Sequence, residues 1–368
     1  MRTCLFPWTS SAKKQRRSPL LYNKAAFPPW HFPLRSPLRS DFNTVKFLLR
    51  ILFFSASSLL ALQGAQAQDN YPSRPIRLLL PFAAGGTVDI MAHPIAAKLH
   101  ELLGKPVIVD NRPSSGGILA AELTVQAAPD GQTLFMASSS ALFIAPAYFK
   151  KVPYDSMRDF TPISLVAQQP LLIVANVSLP INNVKELIAY AKAHPRKVNY
   201  GTVGLGSSNH LTGELLSHAA GIKMEPIAYK GGAQGITAVI GGEIEIMITQ
   251  PNTGLPYVKS GRVRAVATTG TKRSPTYPGV ETLLEAGYKD LAITGYYTIV
   301  GPRGLPQPIV QRLNTEIRRA VASPEVRDAL SSQGTEPVTS TPEELAALIR
   351  KETAHWQRAT RLTGIKEP

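Results

Sequence analysis

Apolar residues in this chain alternate between two patterns, short unbroken runs and longer stretches at helical spacing. Residues 76–80, Ile-Arg-Leu-Leu-Leu, are nearly all apolar and predict a buried strand, which Pro81 ends. The small residues Ala83-Ala-Gly-Gly86 follow, and their glycine pair permits positive φ and close backbone approach. Val88, Ala92, Ile95, Leu99 and Leu102 then recur at helical spacing, with Thr87 or Asp89 as the expected cap and Gly104 as the expected end. Pro94 falls inside that helix, where it removes a hydrogen bond and is expected to kink it. A second buried strand at 106–110, a loop at 111–117, a helix at 118–126 and a third strand at 133–137 continue the alternation. The third strand ends in Ser138, Ser139 and Ser140. Such alternation predicts βαβ units and a mainly parallel sheet, whose ligands sit beyond the carboxyl ends of the strands.

The long apolar segment at 160–176 predicts a crossing into a second lobe. Asn183 and Glu186 have the form of a capping box, and Val184, Leu187, Ile188 and Ala191 extend it as a helix that Pro195 stops. A strand at 198–201 leads to a second small-residue loop, Gly204-Leu-Gly-Ser-Ser-Asn-His210, opening onto a helix with Leu211, Leu215, Leu216 and Ala219. A short strand at 224–228, the stretch Tyr229-Lys-Gly-Gly232 and a helix to Ile240 follow. Residues 243–249 alternate with period two, which predicts a strand with one polar face; Thr249, Gln250 and Asn252 mark its end. A strand at 262–268 and a return crossing at 291–300 precede a helix defined by Ile309, Leu313 and Ile317. Ser323-Pro324 reads as an N-cap with proline at the first helical position. Thr341-Pro-Glu-Glu344 reads as a capping box for a last helix that runs through Trp356 and ends near Gly364.

Both small-residue loops sit between a strand and a helix N-terminus, where free backbone N–H groups make an anion site. An ordinary βα turn uses the same residues, and one motif alone does not separate the two. Loops at 83–87 and 138–140 both occupy carboxyl ends of strands, and that agreement favours a site over two unrelated turns; the 204–210 loop, from a separate lobe, is placed to face the first across a cleft. Catalytic signals are weak by comparison. Gly204-Leu-Gly-Ser-Ser fails the register of the G-x-S-x-G elbow, and no Lys follows Gly206 as a Walker loop requires. Asn209 stands where G-x-G-x-x-G needs glycine. Ser208 and His210 lack an adjacent acidic orienter, so His210 is expected to be structural. His93 and His100 lack a metal-binding spacing, and Asp89 is expected to cap a helix rather than act as a base. Lys230 either places a cation near the cleft or is simply solvated.

Composition adds limits. With 44% hydrophobic and 18% charged residues over 368, the chain is globular, with room for one large domain or two ordinary ones. Its formal charge is +15, but residues 1–67 hold ten of the 40 Lys+Arg and one of the 25 Asp+Glu. The excess is therefore largely N-terminal and does not indicate nucleic-acid binding. Cys4 is the only cysteine, so no disulfide framework or Cys-based metal site is expected. Residues 46–67 combine Lys46 and Arg50, an apolar run too short to span a bilayer comfortably, and Ala65-Gln-Ala67. A secretory signal cleaved after Ala67 is expected, placing the mature protein in the periplasm without a lipidated cysteine. Residues 1–44 show no period and are expected to be disordered, or absent if translation starts at Val45 from a non-Met codon.

Taken in order, Pro81-Phe-Ala-Ala-Gly-Gly, Asp110-Asn-Arg-Pro, Ala128-Pro-Asp-Gly, Val152-Pro-Tyr-Asp, Gly206-Ser-Ser-Asn-His, Tyr229-Lys-Gly and Ser340-Thr-Pro-Glu-Glu resemble the Bug family. These are extracytoplasmic solute receptors of tripartite tricarboxylate transporters. The resemblance, which runs from Tyr71 to Ile365, implies an α/β fold of the type II periplasmic-binding-protein kind. It implies two lobes joined by crossing strands, a carboxylate between them and closure on binding. Residues 68–168 and 295–368 would form lobe 1, and residues 169–294 lobe 2. Family ligand contacts fall on Phe82, Ala83, Gly86 and Thr87 of the first loop, and on Ser138, Ser139 and Ser140 after the third strand. In the second lobe they fall on Gly204, Gly206, Ser207, Ser208 and, at a strand end that usually carries Asp, Thr249. Ala83-Ala84 replaces a usual Pro-Pro, which implies a less stiff loop. Thr249 weakens the case for an amino-acid ligand, and Phe143, near a position often polar, favours a less polar ligand end.

The expectation is therefore a monomeric receptor that captures a small carboxylate and presents it to a membrane permease. It needs no catalytic residue, cofactor, metal or nucleic-acid partner. The rivals are a periplasmic serine hydrolase or transferase using Ser208 and His210, and a receptor that signals to a sensor.

Overall fold

A computed structural model describes residues 71–365 of the chain; the readings for the signal, its cleavage and residues 1–44 lie outside them. At the centre of the first sheet is β1 (Ile76–Leu80), whose Leu78, Leu79 and Leu80 are fully buried. Beside it run β2 (Val107–Asn111) and β3 (Thr133–Ser138), both parallel to it. The helices α1 (Thr87–Leu103) and α2 (Ile118–Val125) make the crossovers. The sheet is completed by β4 (Phe160–Pro170), β10 (Thr294–Pro302) and the two-residue β11 (Glu336–Pro337), in the order β11-β4-β10-β3-β1-β2. A second sheet has the order β7-β6-β8-β5-β9, from β5 (Leu172–Asn176), β6 (Asn199–Thr202), β7 (Glu225–Ala228), β8 (Ile246–Thr249) and β9 (Val263–Thr268).

Neither sheet is mainly parallel, as the alternation led us to expect. β10 runs antiparallel to β3 and β4, and β5 antiparallel to β8 and β9. The βαβ units build the parallel half of each sheet, and the strands that cross between sheets supply the antiparallel half. β2 is an edge strand rather than a buried one, with Ile108 54% exposed. β8 lies at the centre of its sheet and all four of its residues are buried, so the expected polar face is absent. The alternating Glu243 and Glu245 precede the strand, and Glu245 accepts the Asn199 amide at 2.7 Å.

The crossing itself is short. Only Leu171 separates β4 in one sheet from β5 in the other. Its amide donates to Thr269 Oγ1 at 2.8 Å, and the Thr269 amide donates back to the Leu171 carbonyl at 3.0 Å. The Thr269 hydroxyl in turn donates to the Ile293 carbonyl at 2.5 Å, so Thr269, just past the end of β9, joins the outgoing chain to the chain returning into β10.

Three apolar clusters hold the layers together. Leu78, Leu80, Met91 and Ile95 pack with Leu313 and Ile317 of α8 (Gln307–Ala322), joining the first sheet to α1 and α8. Val174, Met247, Ile236 and Leu255 join the second sheet to α6 (Gly232–Gly241) and α7 (Pro251–Lys259). The third cluster runs through both lobes, from Phe135 and Phe143 to Ile173, Ile246 and Trp356. Each such aliphatic side chain stabilises by roughly 1.5–3 kcal/mol on burial. Trp356 belongs to α10 (Pro342–Thr363), which lies along β4 and reaches α5 (Ser208–Ala220) of the second lobe.

Helix ends mostly follow the sequence, with instructive departures. Gly104 ends α1 in the left-handed region, and the Thr341–Glu344 capping box is formed in both directions. Asn183 caps α4 (Val184–Ala193) through the Glu186 amide, but Glu186 reaches back to Asn182 rather than to Asn183. Ser323, before α9 (Pro324–Ser331), makes no side-chain cap; its hydroxyl donates to the Ala320 carbonyl of the preceding helix instead. α1 continues as one helix through Pro94. Ser138 to Ser140 is no loop: β3 ends at Ser138 and a π-helical turn, Ser140–Ile144, follows directly into α3 (Ala145–Tyr148).

Candidate functional site

The carboxyl ends of the parallel strands in both sheets open on one cavity of about 600 Å³. Of the twelve sequence-assigned residues, the structure places Phe82, Ala83, Gly86, Thr87, Ser138, Ser139, Ser140 and Ser208 on its wall. Gly204, Gly206, Ser207 and Thr249 lie off it.

The first loop is shaped by Asp89. Gly85, at φ +77°, turns its amide onto Asp89 Oδ2 at 2.9 Å, while Asn111 Nδ2 donates to Asp89 Oδ1 and to the Phe82 carbonyl, both at 3.0 Å. Asp89 therefore braces the loop instead of capping its own helix. The N-cap is Gly86, which offers no side-chain cap, so the first turn of α1 keeps free N–H groups at the cavity.

The three serines do different things. Ser139 Oγ accepts the Tyr296 amide at 2.8 Å and ties β3 to β10. Ser140 Oγ accepts the Ser208 amide at 3.3 Å, a bond between lobes. Ser138 Oγ is buried and, like Thr249 Oγ1, has no hydrogen-bond partner among the described residues; Ser138 lies on the cavity wall and Thr249 off it. Phe143 is fully buried behind Tyr296, edge-on to its ring, and does not reach the wall.

The second loop is held by its own contacts. Ser207 is 2% exposed; its hydroxyl donates to the Gly204 carbonyl at 2.6 Å and accepts the His210 amide at 3.2 Å, which makes it the N-cap of α5. Gly206, at φ +73°, presses on lobe 1, where an added Cβ would come within 2.8 Å of Tyr148 and Phe149. Thr249 is fully buried behind the start of α6, its Oγ1 3.3 Å from where a Gly232 Cβ would stand.

Sequence reading did not assign the other half of the wall to the site. Lys230, Gly231 and Gly232 open α6, and Gln250, Asn252 and Tyr257 belong to α7 and its N-cap. The first group repeats the small-residue grammar of the first loop, so a signal was present. The second was masked by Pro251, Gly254 and Pro256, which broke the helical pattern, although proline at the first helical position is itself a start signal. Asn209 of α5 ties the second group to its own helix, donating to the Ile248 carbonyl of β8 at 2.8 Å and accepting from Gln250 Nε2 at 3.3 Å.

Electrically the cavity is one-sided. Gly231 before α6 and Gln250 before α7, like Gly86 before α1, make no side-chain cap bond. Three uncapped helix N-termini, with their partial positive charge, thus meet at the cavity. Among the described residues Lys230 is the one charged side chain on the wall and no carboxylate lines it; Asp89, in the first turn of α1, lies behind the wall. Among the described residues no cluster of three or more His, Cys, Asp or Glu could hold a metal ion. Ser208 lines the cavity, but His210 is turned into the protein: its Nδ1 accepts the Gly206 amide at 3.2 Å and its ring lies edge-on to Tyr148.

Comparison with known proteins agrees with this geometry. The model of the tripartite tricarboxylate transporter family receptor matches residues 91–365. Protein BugT of Bordetella pertussis is 34% identical over 88% of this chain and 99% of its own. Among solved structures, Rpa4515 of R. palustris with adipate is 31% identical at a TM-score of 0.76, covering 80% of this chain and 99% of that one. MatC (Rpa3494) from Rhodopseudomonas palustris with bound malate is 30% identical at a TM-score of 0.74, covering 78% and 99%. The chain belongs to the tripartite tricarboxylate transporter receptor family, whose members are periplasmic solute receptors.

Proposed function

We propose that this protein captures a small carboxylate in the cavity between its lobes and delivers it, as a monomer, to a membrane permease. The observation that carries this reading is the convergence of three uncapped helix N-termini and Lys230 on a wall that has no acidic side chain among the described residues. Such a wall favours an anion and disfavours a cation. The unpartnered Ser138 hydroxyl supplies a directed donor. The relatives solved with adipate and malate support the same class of guest. Backbone amides, hydroxyls and bridging water hold the guest, and no bond is made or broken. Export through the N-terminal signal, with cleavage after Ala67, completes the proposal.

A hydrolase built on Ser208 and His210 is disfavoured by the orientation of His210, whose Nδ1 is occupied by the Gly206 amide. Thermal-shift screening of mono-, di- and tricarboxylates tests the receptor reading. A guest at a hundred times its Kd adds about 2.7 kcal/mol to stability, a clear rise in Tm. Absence of a shift with every carboxylate, or labelling of Ser208 by a serine-directed probe, overturns the reading.

A further inference from the structure

Thr87 and Asn252 meet across the cavity: Thr87 Oγ1, on the first residue of α1, donates to Asn252 Oδ1, on the second residue of α7, at 3.0 Å. One belongs to each lobe, and both line the wall. The start of α7 is fastened on both sides. Within lobe 2, Gln250 Nε2 donates to Asn209 Oδ1 at 3.3 Å. Against lobe 1, Pro251 packs on Gly334, where an added Cβ would stand 3.0 Å from Pro251 Cβ. Asn252 is therefore presented to Thr87 from a fixed helix end. Both side chains are only half-buried, so water competes for the bond and allows it to open.

The electrostatics give this bond a task. α1 and α7 bring two N-termini together across the gap; Asp89, in the first turn of α1, offsets part of the positive end there, and the remainder favours an anion between the lobes. A direct link across the gap holds the lobes in their present arrangement. We propose that Thr87 and Asn252 form a clasp, with Asn252 as a positioning residue that sets how long a bound carboxylate is retained. The retention half of this proposal rests on the carboxylate reading; the clasp itself does not. Losing one such bond shifts the balance toward the open arrangement and speeds release about threefold to tenfold. Capture changes less, because related complexes differ mainly in their dissociation rates.

The test uses the full chain in a Cys4→Ser background carrying Ile108→Cys on β2 and Ile227→Cys on β7, two exposed positions on different lobes, as spin-label sites. Interlobe distances are measured by electron–electron double resonance without a guest and with adipate. Asn252→Ala shifts the guest-free distribution to longer distances, Thr87→Val shifts it equally, and the double variant shifts it no further. Asn252→Asp keeps the acceptor and restores the wild-type guest-free distribution, while its charge weakens adipate binding. Stopped-flow release of adipate from Asn252→Ala is about threefold to tenfold faster than from wild type. An unchanged guest-free distribution in Asn252→Ala, or additive shifts in the double variant, overturns the clasp. If no carboxylate stabilises the wild type, the receptor reading fails, and the guest-free distances still decide the clasp.

Discussion

The Gly206 amide donates to Nδ1 of His210, four residues along the chain. The ring nitrogen must be unprotonated to accept, and burial lowers the His210 pKa from 6.5 to about 4. The unfolded chain binds a proton near pH 6.5 that the folded protein refuses until about pH 4. The stability contributed by neutral His210 is therefore fully present above pH 6.5 and is lost as pH falls through 6.5 toward 4. Its ceiling is roughly 3 kcal/mol. Urea unfolding at pH 7, 6 and 5 should show this decline, and His210→Gln should flatten it. His355, also lowered by burial, contributes equally to both proteins, so the difference between them belongs to His210 together with Glu214, 4.0 Å from its Nε2.

Two serines separate folding from binding. Ser207→Ala removes an N-cap that does not touch the cavity, so it should cost about 1 kcal/mol of stability and leave carboxylate affinity nearly unchanged. Ser138→Ala removes a hydroxyl that has no partner among the described residues, so it should cost little stability and weaken binding about threefold to tenfold. Denaturant unfolding and titration calorimetry on both variants give the four numbers; a reversed pattern would reassign both residues.

Lys230 supplies the only full charge on the wall among the described residues. Lys230→Gln should weaken carboxylate binding at low ionic strength, and the gap from wild type should narrow as salt is raised. A loss that is independent of salt would mean that Lys230 acts through packing instead of charge.

Pro94 withholds from the Ile90 carbonyl the amide that a helix would normally supply, yet α1 runs through it. Pro94→Ala restores that donor and should stabilise the protein by about 1–3 kcal/mol, read as a higher Tm.

Much of this architecture is written in local patterns. The strand at 76–80, the glycine stop of α1, the Thr341 capping box and the apolar crossing at 160–176 are each set by neighbours in sequence. α7 escaped because two prolines and a glycine outweigh helical spacing on local rules, whereas packing against β5 and β9, with Leu255 in the second-lobe cluster, decides it in the folded protein. The site was half legible for the same reason. Small-residue loops announce themselves, but which atoms face the cavity depends on distant residues. Tyr148 and Phe149, far away in the chain, turn Gly206 inward. Asp89 and Asn111 together shape the loop that carries Gly85.

Pro170 and Thr294 are register partners at the ends of β4 and β10, so the whole second lobe leaves the first and rejoins it side by side. Topologically it is an insertion that could be excised and its ends spliced without rerouting the host sheet. The cluster from Phe135 through Ile173 to Trp356 argues the other way, because excision would strip a broad oily surface bare. The two halves are separable on a wiring diagram and inseparable as solubilised objects, so a truncated host lobe should precipitate or pair with itself.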